Sequence, residues 1–246
     1  MLCYNSKKGC INIKIKFIKI ENISDQFYPQ PAYKMLPDWY KDTPGYLGNN
    51  KVPFDEGSPK ATIKKCMPVF DSMTSGYIIT SHVDVWVKQQ ETEKDGKQPY
   101  FVWPTGNPLG FHAVGQAKEH PGNTGFNIAY PKWVSPWAIK TPKGYSCFFV
   151  QPMHRESVFE ILPGIVDTDK WYPPVNFPFV LKDIGFEGLI PAGTPIAQVI
   201  PFKRESWSME FGSEKDILET LEMEKRKHSV FYDYYKNITK KGNLYK

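Results

Sequence analysis

Near its start the chain alternates strictly between apolar and polar residues. Ile11, Ile13, Ile15 and Phe17 are separated by Asn12, Lys14 and Lys16, the period-two pattern of a half-exposed strand at a sheet edge or surface. Tyr77, Ile78, Ile79, Val83, Val85 and Val87 predict a strand over 76–87. The polar stretch 89–97 around Asp95-Gly96 predicts a hairpin tip, and Tyr100, Val102 and Trp103 a return strand. Trp133, Trp137 and Ile139 lead through the turn Thr141-Pro-Lys-Gly into a strand over 145–151. Further short strands, each bounded by Pro or Gly, are predicted over 157–162, 177–181, 187–190 and 196–202. Only the C-terminus changes period. Ile217, Leu221, Phe231, Tyr235 and Ile238 recur near 3.6 residues, Ser213 is an N-cap with Asp216 three residues on, and Lys236, Lys240 and Lys241 sit where the negative helix end favours cations. The patterning predicts a mainly β protein that ends in a helix.

Two stretches follow neither period. Residues 26–59 carry prolines at 29, 31, 37, 44, 53 and 59 together with Tyr28, Tyr33, Trp39, Tyr40 and Tyr46. Proline interrupts regular ladders, while disordered segments are poor in aromatics, so an ordered proline-aromatic arm is expected over about 21–60. Residues 106–124 are rich in glycine and hold His112, Gln116 and His120, which predicts a long functional or interface loop. There is no internal repeat and no low-complexity tract, so residues 1–207 read as one β-rich domain and 208–246 as a helical appendage.

The 246 residues are 41% apolar and 15% aromatic, enough to bury a core, which excludes wholesale disorder and a small disulfide scaffold. The net charge of +5 is spread along the chain, so a nucleic-acid stripe is not indicated. No apolar run reaches the ~18–20 residues of a membrane span. The N-terminus lacks the apolar region of a secretory signal, so the expected location is cytoplasmic, within a host cell or on a virion. Cys3, Cys10, Cys66 and Cys147 show no C-x-x-C spacing and read as buried or surface thiols.

Candidate chemistry is concentrated in three motifs: Gln151-Pro-Met-His-Arg-Glu-Ser, Pro163-Gly-Ile-Val-Asp-Thr-Asp-Lys-Trp and Ile190-Pro-Ala-Gly-Thr-Pro-Ile-Ala-Gln-Val-Ile. A carboxylate can activate water, and arginine and amide groups can donate hydrogen bonds to phosphate. The order of the motifs resembles that of the trimeric dUTPases and dCTP deaminases, the β-clip superfamily. The resemblance implies a β-clip barrel or sandwich and a homo-oligomer, a trimer if it holds throughout. It also implies a pocket made by Arg155 of one subunit and Asp167 or Gln198 of others. Arg155, Ser157 and Gln198 would then hold phosphates, Asp167 would be the general base of a nucleotide diphosphatase, Asp169 would assist a metal-bound water, and Mg2+ would be the cofactor. The chain departs from that pattern where Glu156 separates Arg155 from Ser157, at Trp171 and Pro173-Pro174, and in having no glycine-rich tail after Phe202.

A second resemblance spans most of the chain. Leu36-Pro-Asp-Trp-Tyr-Lys, Lys64-Lys-Cys-Met-Pro, Thr74-Ser-Gly-Tyr, Thr141-Pro-Lys-Gly-Tyr-Ser, Val166-Asp-Thr-Asp and Gly193-Thr-Pro-Ile-Ala-Gln-Val-Ile-Pro-Phe are similar to a family of phage, viral and bacterial proteins with no known activity. It implies one cooperative unit from the arm through Trp207, with the helix appended.

Two functions therefore stand side by side: a protein binding a nucleotide or other phosphate ligand, and a non-enzymatic structural or assembly protein whose arm and helix make intermolecular contacts. They differ in whether Asp167 and Gln198 converge on a void. A remote third is an Fe(II) oxygenase, from His82-Val-Asp84 with His112, His120 or His154 as third ligand; an exposed polar pair explains His82 and Asp84 more simply. His154-Arg155-Glu156 reads equally as a surface charge cluster, Trp133 and Trp137 as core, and Lys225-Arg-Lys-His as a solvated helix face.

Overall fold

The period-two alternation near the start yields a strand displaced toward the C-terminus, Lys16–Lys19, in which Phe17 is half-buried while Lys16 and Ile18 face water; Ile15, just before it, is also half-buried. The computed structural model describes residues 13–48, 54–55, 58–59, 61–92, 96–116, 120 and 130–229. Along these residues the strands are β1 (Lys16–Lys19), β2 (Gln30–Pro31), β3 (Phe54–Asp55), β4 (Ser58–Pro59), β5 (Tyr77–Thr80), β6 (Val85–Thr92), β7 (Gly96–Val102) and β8 (Leu109–Phe111). They continue with β9 (Pro131–Trp133), β10 (Trp137–Lys140), β11 (Tyr145–Val150), β12 (Phe159–Ile161), β13 (Gly164–Val166), β14 (Phe177–Leu181), β15 (Gly188–Ile190) and β16 (Pro195–Lys203). The helices are α1 (Asp38–Asp42), α2 (Met67–Thr74) and α3 (Glu214–Ser229).

The strands form a five-stranded sheet β13-β11-β16-β5-β2, a four-stranded sheet β12-β14-β9-β8, a three-stranded sheet β15-β6-β7, and the pairs β1-β10 and β3-β4. Every described pairing is antiparallel. Strand β16 is central and does not alternate in its middle: Ile196, Ala197, Gln198 and Val199 are all buried, as a strand covered on both faces requires. Trp133, Phe159 and Phe179 pack with centroids 5.3–5.4 Å apart at the heart of the core. Trp137 lies in the same core, which bears out the reading of both tryptophans as packing residues.

The mainly β expectation holds, with local corrections. The strand predicted over 76–87 is broken at 81–84. The Ser81 N–H donates to the Thr194 carbonyl, its own carbonyl accepts from Gly193 N–H, and its hydroxyl donates to the Val83 carbonyl, so the chain leaves one sheet and enters another. Helix is not confined to the C-terminus, because α1 and α2 are too short for a 3.6 period to show. The capping box of α3 is present: the Asp216 carboxylate accepts from Ser213 N–H at 2.7 Å and from its hydroxyl. Ile11, Asp95, Phe231, Tyr235, Ile238 and the lysines after them lie outside the described residues. Among the described residues no helix is long and apolar enough to cross a membrane.

The proline-aromatic arm is packed through its described part to Gly48. Ala32 is wholly buried and its N–H donates to Gly76 O. Tyr40 stacks on Phe70 with centroids 6.0 Å apart and donates its hydroxyl to Lys64 O, and Tyr28 meets Trp137 edge-on at 4.9 Å.

Gly76 joins α2 to β5 at φ +72, and a Cβ there would fall 1.9 Å from the Val199 carbonyl oxygen. Gly144, at φ +86, has open space around the same position. A left-handed conformation costs an L-residue about 1–2 kcal/mol, so Gly144→Ala is expected to destabilise by that amount. Gly76→Ala should cost clearly more, because the backbone of β16 must also move; urea unfolding of the two variants measures the difference.

Candidate functional site

Strands β11 and β16 pair along their length, Ser146 opposite Phe202 at one end and Val150 opposite Gln198 at the other. Those two rungs are four residues, roughly 13 Å, apart. Of the residues singled out by the dUTPase-like motifs, Gln198 and Arg155 belong to the second end and Asp167 and Asp169 to the first. Within one subunit the structure does not bring the two groups together.

Gln198 is 1% exposed. Its amide nitrogen donates to the carbonyls of Ser72 (2.8 Å) and Ser75 (2.7 Å), and its oxygen accepts from Met153 N–H (3.1 Å). Both donors and one acceptor lone pair are thus used inside the protein, so Gln198 locks the end of α2 and the loop after β11 onto the central strand. His154 follows in that loop at φ 56, a conformation costly for a non-glycine residue. It is held from both sides: its carbonyl accepts from Trp39 Nε1 at 2.7 Å and its Nε2 lies 3.1 Å from Ser72 Oγ.

Between this loop and the N-terminal arm lies a cleft of about 730 Å³ open to solvent, lined among others by Lys34, Trp39, Gln151, Arg155, Glu156 and Thr194. Arg155 is half-buried, and burial pushes its pKa down, with the Asp38 carboxylate pulling it back up. Asp38 also lines the cleft and is paired with Lys41 at 2.8 Å. Among the described residues nothing hydrogen-bonds the Arg155 guanidinium. Ser157 does not join it; the Ser157 hydroxyl accepts from Phe159 N–H at 3.3 Å.

At the other end Arg204, which sequence reasoning missed, gathers the acidic residues. Its guanidinium forms two hydrogen bonds to Asp169, lies 3.0 Å from Asp167 Oδ1, and donates to Ser146 Oγ and Tyr145 O. The Arg204 pairing, helped by Gly144 N–H at 2.8 Å, lowers the Asp169 pKa to about 2. Asp167 is lowered mainly by the Ser146 hydroxyl, which donates to it at 2.7 Å, and then by Arg204 and Lys170. A carboxylate held low in this way is a weak general base at neutral pH. The pair does not fit a magnesium ion, because a guanidinium already occupies the space its charge would take. Behind the clasp Thr168 bonds Thr141 Oγ1 and donates to Cys147 Sγ. Burial pushes that thiol up to about 11, so Cys147 is an inert buried thiol; Cys66 is exposed, and Cys3 and Cys10 lie outside the described residues.

The iron-site residues do not assemble. His82 sits in the bend between β5 and β6 with Nε2 3.9 Å from Glu21, and Asp84 accepts from Ala192 N–H at 2.7 Å. His112 Nδ1 is 3.1 Å from Gln116 Oε1, and the His120 ring packs edge-on against Tyr130. Among the described residues no group of three His, Cys, Asp or Glu is placed to hold a metal. No protein-family model matches the chain, and no curated protein matches it.

Lys34 and Trp39 were visible only as members of the aromatic arm. Arg204 had a local signal: Asp167 and Asp169, two apart in the turn that follows β13, invite a shared cation. Its position became apparent only with the β11–β16 register.

Gln198→Leu would take this partner from two part-buried carbonyls and a part-buried N–H; a fully buried group left alone costs about 1–3 kcal/mol, so the variant is expected to destabilise by about 2–3 kcal/mol in urea unfolding. The Asp169 pKa is depressed when folded, so its stabilisation is complete above the unfolded carboxylate pKa near ~4 and is lost as pH falls through about 2. Thermal melts from pH 6 to pH 2 should therefore show a steeper acid loss in wild type than in Arg204→Gln; equal slopes would remove the clasp from the account.

Proposed function

We propose that the protein binds a small phosphate-bearing ligand of the nucleotide class in the cleft between the N-terminal arm and residues 151–156. One observation carries this reading: a half-buried arginine, Arg155, lines the cleft with no hydrogen bond to its guanidinium among the described residues. A desolvated cation is costly unless paired, and a phosphate offers guanidinium a bidentate partner. Lys34 adds a second cation. Asp38 is engaged by Lys41, which leaves Glu156 as the opposing carboxylate in the lining. Trp39 supplies an apolar wall suited to a planar base.

The order of motifs that resembles the β-clip enzymes supports the same ligand class, and the β-clip architecture is part of this proposal. The proposal is of binding. Asp167, the base that the resemblance implies, is bonded to Ser146 and Arg204 far along the sheet from Arg155, so hydrolysis would require Asp167 of another subunit.

A thermal-shift series with inorganic pyrophosphate and deoxynucleoside mono-, di- and triphosphates, with and without magnesium, tests this. Ligand at a hundred times its Kd stabilises by ~2.7 kcal/mol, roughly 5–10 °C for a chain of this size. The expected result is such a shift in wild type and its loss in Arg155→Gln. No shift with any of these anions, or an undiminished shift in the variant, overturns the reading.

A further inference from the structure

Beyond Arg204 the chain leaves the body. Residues 205–213 have no regular structure, yet Trp207, Met209 and Phe211 alternate with polar residues and are 88%, 83% and 91% exposed. Helix α3 continues the pattern, with Ile217, Leu218 and Leu221 on one stripe, all exposed. Tryptophan and phenylalanine side chains bury about 150–250 Å² each when covered. With Met209 and the helix stripe, the segment offers an apolar area close to the ~800 Å² per partner of a standard interface.

A matching face lies on the sheet β15-β6-β7. Its inner residues Val85, Val87 and Ile190 are buried. On the outer face Trp86 stands directly opposite Val102 on one side and Leu189 on the other, and Lys88 stands opposite Tyr100. Trp86, Val102, Leu189 and Tyr100 are all exposed. Antiparallel sheets with one solvated face normally carry polar residues there, so this row is an apolar surface without cover.

We infer that the segment 205–225 of one copy docks on the Leu189–Trp86–Val102 face of a second copy of this chain. Topology places donor and acceptor apart on one molecule: β15 runs through a short turn into the start of β16, whereas the arm leaves from the end of β16, roughly 26 Å further on. The Arg204 clasp fixes that exit, with Arg204 N–H donating to Gly144 O. Two different patches make a head-to-tail contact, which closes into a ring or extends as a chain.

Size-exclusion chromatography with light scattering on the full chain tests this. Wild type is expected at a mass of at least two copies, and Trp207→Ser/Phe211→Ser and Trp86→Ser/Val102→Ser are each expected at the monomer mass of 28.3 kDa with the wild-type far-UV spectrum. An equimolar mixture of the two variants keeps one intact arm and one intact face, and should give a species of twice the monomer mass. Where the sheet variant loses its spectrum, Trp86→Lys alone takes its place. A monomeric wild type, an arm variant that stays assembled, or a mixture that stays monomeric overturns the inference.

Discussion

Burial of the Gln198 amide is the constraint on which the rest depends. A side chain with two donors and an acceptor has been taken out of water at the centre of the five-stranded sheet, and it is tolerable there only because Ser72, Ser75 and Met153 answer it. A one-residue slip of β16 would turn it to the opposite face and strand all three partners. The amide therefore sets the register of β16 against α2 and against the loop after β11. Both walls of the Arg155 cleft follow from it: the loop through Met153 and His154, and the arm through Trp39, which is bonded to His154.

Much of the fold was legible where the determinant is local. The Thr141-Pro-Lys-Gly turn located the strand that begins at Tyr145, runs bounded by Pro or Gly located the strands ending at Leu181 and Ile190, and the Ser213–Asp216 box located the start of α3. The break at Ser81 was not legible, because an apolar run looks the same whether it stays in one sheet or passes between two. Short helices such as α2 escape a periodic reading in the same way. The candidate site was less legible than the fold. Arg155, Asp167 and Gln198 lie within one stretch of motifs, but whether such residues meet is decided by strand pairing, and the partners of Gln198 on α2 are 123 and 126 residues away. A motif fixes residue types; only the ladder fixes distance.

The two ends of the β11–β16 ladder do different work. At the Gln198 end, polar groups are exhausted inside the protein and a neighbouring arginine is left over in a cleft. At the Lys203 end, carboxylates that resemble a catalytic pair are neutralised by Arg204, and apolar side chains are left over on the segment beyond. In both places the unsatisfied group lies next to a fully satisfied one, which holds it in position without using it up. That separation of scaffold from surplus is why Asp167 and Asp169 read as structural while Arg155 and Trp207 do not.

The position of β16 also bears on force. It is an interior strand, paired on one side with β11 and on the other with β5, and the arm is its direct continuation. Tension applied through residues 205–213 reaches the Arg204 clasp first and then runs along the strand axis. There it meets first the β11 ladder over 198–203 and then the β5 ladder over 195–199, the two overlapping at Gln198 and Val199, and a pull along the strand loads each of them in shear.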